Sequence, residues 1–292
     1  MSYEDFVCYI QTKMKEKLGG EVQVELHRIT KNNTVILDGL SIQKNKSKIA
    51  PTVYLNEFYR EYEKGMTIPE ILECLEEAYH KSEQSVEFDP AFYSDFDRVK
   101  KLLACKLIHR ERNAALLQNV PYQEFLDLAV VVYCRVESEV IGNGTILVYE
   151  SHLQMWGITK EELFRIAKDN TRRLLPEEHM HIRDMIEDLT GEETPPDDGA
   201  SMYVLTNNRR LFGAVNMIFD SVLEKIGKEL NRNFWILPSS VHECILIPDS
   251  YFMERRELEM MVADVNRREV APEDFLSNQV YFYERNLHRL SS

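Results

Sequence analysis

The chain has 292 residues, too many for one minimal hydrophobic core and enough for two or three compact units. Its hydrophobic content of 44% fits a soluble globular protein and excludes disorder as the default. With 49 acidic against 35 basic residues the formal charge is −14, a field that repels phosphate backbones and argues against nucleic-acid binding.

Ser2 is placed to cap a first helix whose apolar positions Phe6, Ile10, Met14 and Leu18 recur every four residues, and Gly19-Gly20 ends it. Alternation over Val22, Val24 and Leu26 then predicts a half-buried strand. A turn at Lys31–Thr34 returns it to a partner at Val35–Leu37, and Pro51–Leu55 reads as a third strand, with Asn56 as the cap of a short helix. Thr67 and Glu70 form a capping box for a helix to about Lys81. The acidic, aromatic segment Ser85–Asp97 reads as a connection into a second unit.

Val99–Glu111 fits either strand or helix. Leu128–Cys134 is a continuous β-branched run typical of an interior strand, and Ile146–Tyr149 pairs back on it. Thr159 and Glu162 open a helix to about Leu174, and Pro176 starts another through Leu189. The stretch 191–199, acidic and proline-bearing without an apolar residue, is the strongest linker signal. Beyond it the pattern is strand (Met202–Leu205), helix (about Ala214–Leu230), strand (Phe234–Leu237), strand (Cys244–Ile247), helix (about Met253–Asn266) and an aromatic tail. Strand–helix–strand implies one right-handed crossover, and the break at Pro238 implies that the following strand folds back.

The fold class is therefore α+β (mixed α/β) in three αβ units: 1–90, 91–190 and, after the linker, 200–292. The last carries a mixed β-sheet in a β-α-β-β-α pattern. Cys8, Cys74, Cys105, Cys134 and Cys244 are odd in number and contain no C-x-x-C pair, a pattern of reduced thiols. The N-terminal stretch lacks the apolar segment of a signal peptide, and no run reaches membrane-span length. A cytoplasmic location without membrane contact is the expectation.

The densest polar cluster is Ser239, Ser240, His242 and Glu243, between two apolar runs. Ser240 and His242 share strand parity, so a hydroxyl beside an imidazole is the minimum for an activated nucleophile, with Glu243 as a further candidate. Parity sends Glu243 the other way, and no glycine supplies an oxyanion hole, so a turn in which serines satisfy backbone groups is the simpler reading. Asn207, Asn208 and Arg209 follow a buried strand, where amides and a guanidinium can hold a phosphate or carboxylate; a polar turn before Gly213 explains them as well. His179 and His181 would converge on a strand, but Pro176 and an acidic first turn favour a helix, on which they diverge. No metal is assigned. The tail aromatics Phe275, Tyr281, Phe282 and Tyr283 read as docked on a sheet face or edge. P-loop, G-x-G-x-x-G, H-E-x-x-H, G-x-S-x-G and EF-hand patterns are absent from the sequence, and no cofactor is implied.

Several stretches carry a resemblance: ITKNNTVILDGLSI (29–42), IAPTVYLNEFY (49–59), FLDLAVVVY (125–133), MWGITKEELFRIAKDNTRRLLP (155–176), MYVLTNN (202–208), ILPSSVHECILIPDS (236–250) and VNRREVAPEDFLSNQVYFYER (265–285). On these the chain resembles, over nearly its whole length, an uncharacterised bacterial domain-of-unknown-function family (DUF5688-like). The resemblance implies no activity. The WGI-x-x-EEL helix and the strand-Pro-Ser strand pair are also similar to a second uncharacterised bacterial family, which implies a shared αβ unit.

The reading that follows is a non-enzymatic binding or interaction protein for a protein or small-molecule ligand. The competing reading is a hydrolase or transferase using Ser240 and His242, with Asn207 and Arg209 holding an anionic substrate. Oligomeric state is left open by the sequence.

Overall fold

A computed structural model of the chain describes residues 1–20, 22–44, 52–83, 90–138, 142–191, 201–249 and 254–292. The chain is a mixed α and β protein with three sheets, and it divides into two compact units. One comprises Met1–Tyr93 with Arg135–Thr145, the other Ser94–Cys134 with Ile146–Ser292. The linker expected at 191–199 lies, apart from Gly191, outside the described residues.

In the first unit, α1 (Tyr3–Leu18) starts where the Asp5 N–H donates to the Ser2 hydroxyl, 3.2 Å away, and ends at Gly19, whose φ of 78° suits a residue without Cβ. Phe6, Ile10 and Met14 are fully buried, as their spacing predicts. They pack with β1 (Val22–Thr30), β2 (Ile36–Lys44), β3 (Thr52–Tyr54), α2 (Leu55–Glu63) and α3 (Ile68–Glu83) around one apolar core. β1 and β2 pair antiparallel with Leu26 opposite Leu40, which puts both strands' alternating apolar residues on one face. Thr67 donates from its N–H and its hydroxyl to the Glu70 carboxylate (2.8 and 2.7 Å), completing the start of α3. Asn56 does not cap α2: the cap is Tyr54 without a side-chain bond, and the Asn56 side-chain Oδ1 instead accepts from the Asp38 N–H at 2.9 Å, joining α2 to β2.

After α4 (Pro90–Ser94), the second unit begins with α5 (Phe96–Val99) and β4 (Leu103–His109), which resolves the strand-or-helix ambiguity over 99–111. β5 (Tyr122–Phe125), β6 (Leu128–Ser138) and β7 (Gly142–Leu147) complete a four-stranded sheet in which β6 lies between β4 and β5 and also pairs with β7. After α6 (Glu150–Trp156), α7 (Lys160–Leu174), capped by Thr159, packs on β4. There the buried Thr171 hydroxyl accepts from the Cys105 N–H at 2.8 Å.

The larger sheet is built from β8 (Glu177–His181), β9 (Tyr203–Asn207), β10 (Phe234–Leu237), β11 (Cys244–Pro248), β12 (Tyr281–Glu284) and β13 (Arg289–Ser291), in the order β13-β12-β10-β11-β9-β8. Two expectations are corrected here. The segment after Pro176 is not one helix to Leu189 but β8 followed by α8 (Ile182–Thr190). β9 is buried at Val204, Leu205, Thr206 and Asn207, so its outer backbone groups need a partner, and residues 177–181 supply it. The sheet is also not mixed, because every pairing in it is antiparallel. The crossover from β9 to β10 exists and leaves those strands parallel, but β11 folds back at Pro238 and inserts between them. The crossover itself is broken. A 3-10 turn over Gly213–Ile218, buried from Gly213 through Met217 rather than on one face, precedes α9 (Asp220–Leu230), with extended Phe219 between. α10 (Arg255–Arg268) lays Leu258 and Val262 against Leu237 and Ile247 on one sheet face. The tail aromatics Tyr281, Phe282 and Tyr283 extend the sheet beside β10. Among the described residues no helix is long and apolar enough to cross a membrane.

Candidate functional site

A cleft of about 450 Å³ in the second unit is lined by His109, Arg112, Asp127, Phe275, Ser277 and Gln279, among others. Three pieces of chain build it. The first is the turn between β5 and β6. Phe125 pairs with Leu128, so Leu126 and Asp127 alone make the reversal. Its first position demands a positive φ and normally holds glycine; here Leu126 is held at 54°. Such a conformation costs about 1–3 kcal/mol and persists only where surrounding contacts impose it. The Arg110 N–H donates to the Asp127 carbonyl, tying the turn to the end of β4.

The second piece is the end of β4. The Arg112 N–H donates to His109 Nδ1 at 3.2 Å, and the Asn113 amide donates to the His109 carbonyl at 2.8 Å. The Arg112 guanidinium lies 3.6 Å above the Phe275 ring, whose centroid is 5.6 Å from the His109 imidazole. The third piece is the segment after α10, where the Leu276 and Ser277 N–H groups donate to the Ser239 and Pro238 carbonyls. Asn266, on α10, donates to the Ser277 carbonyl (2.9 Å) and to the Asn278 side chain (2.8 Å).

At the floor, the Ser277 hydroxyl donates to one Asp127 carboxylate oxygen at 2.6 Å and the Tyr281 phenol donates to the other. Both donors are buried, at 1% and 0% exposure, whereas Asp127 opens on the cleft. Burial first, then the Asp127 charge, pushes the Tyr281 phenol far above its ordinary range, so it remains a donor. Among the described residues no lysine or arginine forms an ion pair with Asp127; its side-chain partners are two neutral hydroxyls. Burial lowers the His109 value; the Asp127 charge opposes this and Arg112 adds to it. The ring is neutral at neutral pH, and since Nδ1 accepts the Arg112 N–H, its proton sits on Nε2.

The polar cluster singled out by the sequence lies behind the cleft wall. Ser240 forms a backbone bridge with Phe275, and the Val241 N–H donates to the Asp274 carbonyl at 2.8 Å. The buried Ser240 hydroxyl accepts from the His242 N–H at 3.0 Å, not from its ring. The His242 ring stacks on Phe212 (5.5 Å, 11°); Nδ1 accepts from the Phe212 N–H at 3.2 Å, and Nε2 faces the Asp274 carboxylate at 3.3 Å. Ser240 and His242 are thus brought together, but both imidazole nitrogens are committed elsewhere. Ser239 is half-buried and serves through its backbone. Burial raises the Glu243 carboxyl above its usual range, opposed by His242 and by a hydrogen bond with Ser240, while Asp274 raises it further.

Asn207 is fully buried and spends its amide on its own loop. It donates to the Leu211 carbonyl (2.8 Å) and accepts from the Arg209 (3.0 Å) and Leu211 (3.3 Å) N–H groups. Asn208 and Arg209 are exposed, with the Asn208 N–H donating to the Pro176 carbonyl. His179 and His181 stand on a strand rather than a helix, so they share a side of the sheet. His179 meets the Glu229 carboxylate at 2.6 Å, and His181 Nδ1 accepts from the Arg183 N–H at 3.2 Å. Among the described residues no group of three or more His, Cys, Asp or Glu is placed to hold a metal. Cys105, Cys134 and Cys244 are buried, with burial pushing the first two thiols up to about 12.

The residues missed by sequence reading are Asp127, His109, Ser277 and Tyr281. One local signal was present, a single acidic residue, Asp127, inside the apolar run 125–133, but the partners of Asp127 lie 150 and 154 residues away. The family model described as "Family of unknown function (DUF5688)" matches residues 3–285. No curated protein and no solved structure matches the chain.

Proposed function

This chain belongs to the family of unknown function DUF5688, and we propose that it is a non-enzymatic binding protein whose cleft beside Asp127 takes a small molecule. A volume of about 450 Å³ falls within the usual range of small-molecule sites. One observation carries the choice of binding over catalysis: His109, which lines the cleft, and His242, of the neighbouring polar cluster, each accept a backbone N–H on Nδ1. A general base needs an unoccupied lone pair aimed at the proton it removes. In its neutral form the His109 ring offers only an N–H, which suits recognition. The reducing pattern of the cysteines supports a cytoplasmic setting for this role.

The test is a thermal-shift screen of the full chain against a small-molecule library, since a ligand that binds the folded state raises its melting temperature. Hits are expected to lose their shift in Gln279→Trp, a substitution at an exposed position that fills the cleft. Turnover of chromogenic ester or phosphate substrates that disappears in His109→Asn or His242→Asn would overturn the reading.

A further inference from the structure

We propose that the cleft recognises a ligand through a primary ammonium group, with the Asp127 carboxylate as its counter-ion. This rests on the cleft being a ligand site and adds what enters it. The argument starts from charge. Tyr281 and Ser277 each give the carboxylate one hydrogen bond, and neither brings a positive charge. Each carboxylate oxygen has a second lone-pair direction to offer. A partly buried carboxylate without a cation is a costly arrangement, and a ligand cation removes that cost.

The other charged groups around the cleft do not neutralise Asp127. Arg110 is paired with Glu124 at 2.7 Å. The Arg112 guanidinium is placed over the Phe275 ring, 3.6 Å from its centroid. His109 contributes a neutral ring. Glu111 adds a second negative charge at the rim, and the formal charge of −14 over the chain favours the approach of cations. The remaining polar group with freedom to adapt is the exposed Gln279 side chain, whose carbonyl can accept a second ammonium proton. An ammonium group offers three donors and no acceptor, which matches a floor already supplied with donors of its own. An anionic group at the same place would face Asp127 without compensation.

The experiment compares butylamine, butanol and butyrate, three probes alike in size and different in charge, on the full chain at constant ionic strength. Binding is followed by the melting temperature and by the amide resonances of Arg110 and Gln279. Saturable binding is expected for butylamine alone. Asp127→Asn is expected to weaken it tenfold or more, as loss of a charge-assisted bond implies. Gln279→Lys, which places an ammonium of the protein's own in the cleft, is expected to abolish it and serves as the second variant should Asp127→Asn fold poorly. Absence of saturable butylamine binding, or binding indifferent to both substitutions, overturns the inference. Saturation at the cleft by butyrate or butanol and not by butylamine also overturns it, while leaving the reading of the cleft as a ligand site standing.

Discussion

The Tyr281 phenol donates to the Asp127 carboxylate across 154 residues of sequence, joining the turn between β5 and β6 to the strand that extends the larger sheet. Tyr281→Phe removes the donor while keeping the ring that packs in the sheet. A hydrogen bond to a charged group contributes about 1.5–3 kcal/mol, and a loss of that size is expected in urea denaturation at neutral pH. The phenol's value is raised in the folded state, so its contribution is complete below about pH 10, the unfolded value, and is lost as pH rises toward the folded one. The gap between wild type and variant should therefore narrow under alkaline conditions.

His109 and His152 are both held below the ordinary imidazole range, burial being the first cause in each. Between the folded value and the unfolded one of about 6.5, the unfolded chain binds more protons. Stability is thus complete above about pH 6.5 and falls as the solution is acidified. In both rings Nδ1 accepts a backbone N–H, from Arg112 and Tyr149 respectively. Asparagine reproduces that acceptor without the titration, so the double variant His109→Asn/His152→Asn should lose less stability between pH of about 6.5 and about 5 than the wild type. Melting temperatures across that range give the measurement.

Glu243 carries the opposite sign from an ordinary paired carboxylate. Its folded value is raised, chiefly by burial, so the stability tied to its protonated form is present at low pH and lost as pH rises. Its ionised form weighs against the fold. Glu243→Gln keeps an acceptor for Ser240 and removes the charge; a gain on the order of 1 kcal/mol is expected at neutral pH. That gain should vanish under acid conditions, where wild-type Glu243 is already neutral. A variant less stable than wild type at neutral pH would contradict this account.

Gly213 opens the 3-10 turn where three chain segments meet. A Cβ there would run into the Thr206 hydroxyl, the His242 carbonyl and the Asn207 N–H. The last two are backbone groups and cannot swing away. Gly213→Ala should cost about 1–3 kcal/mol, the range for overpacking a filled interior, and calorimetry would read it as a lowered melting temperature.

The legible parts of this protein were those whose physics is local. The four-residue spacing of Phe6, Ile10 and Met14, the Thr67–Glu70 cap and the reversal at Pro238 all appear as read. Residues 177–181 were misread because their strand character is not their own: with Met180 as their one apolar residue, they become a strand by satisfying the exposed edge of β9. The insertion of β11 between β9 and β10 is likewise invisible to periodicity, which reports faces and not neighbours. Ser240 and His242 meet only through the His242 N–H, and the Phe212 N–H that occupies the ring comes from a loop 30 residues earlier. Locally Asp127 is a turn residue. Its second task depends on hydroxyls from the far end of the unit.

Those hydroxyls have a consequence for a polypeptide still emerging from the ribosome. The acid at 127 is synthesised long before the serine at 277 and the tyrosine at 281 that grip it. A partly made molecule carries the charge but no receptacle around it. The two hydrogen bonds that hold this carboxylate are therefore reserved for molecules translated past that tyrosine.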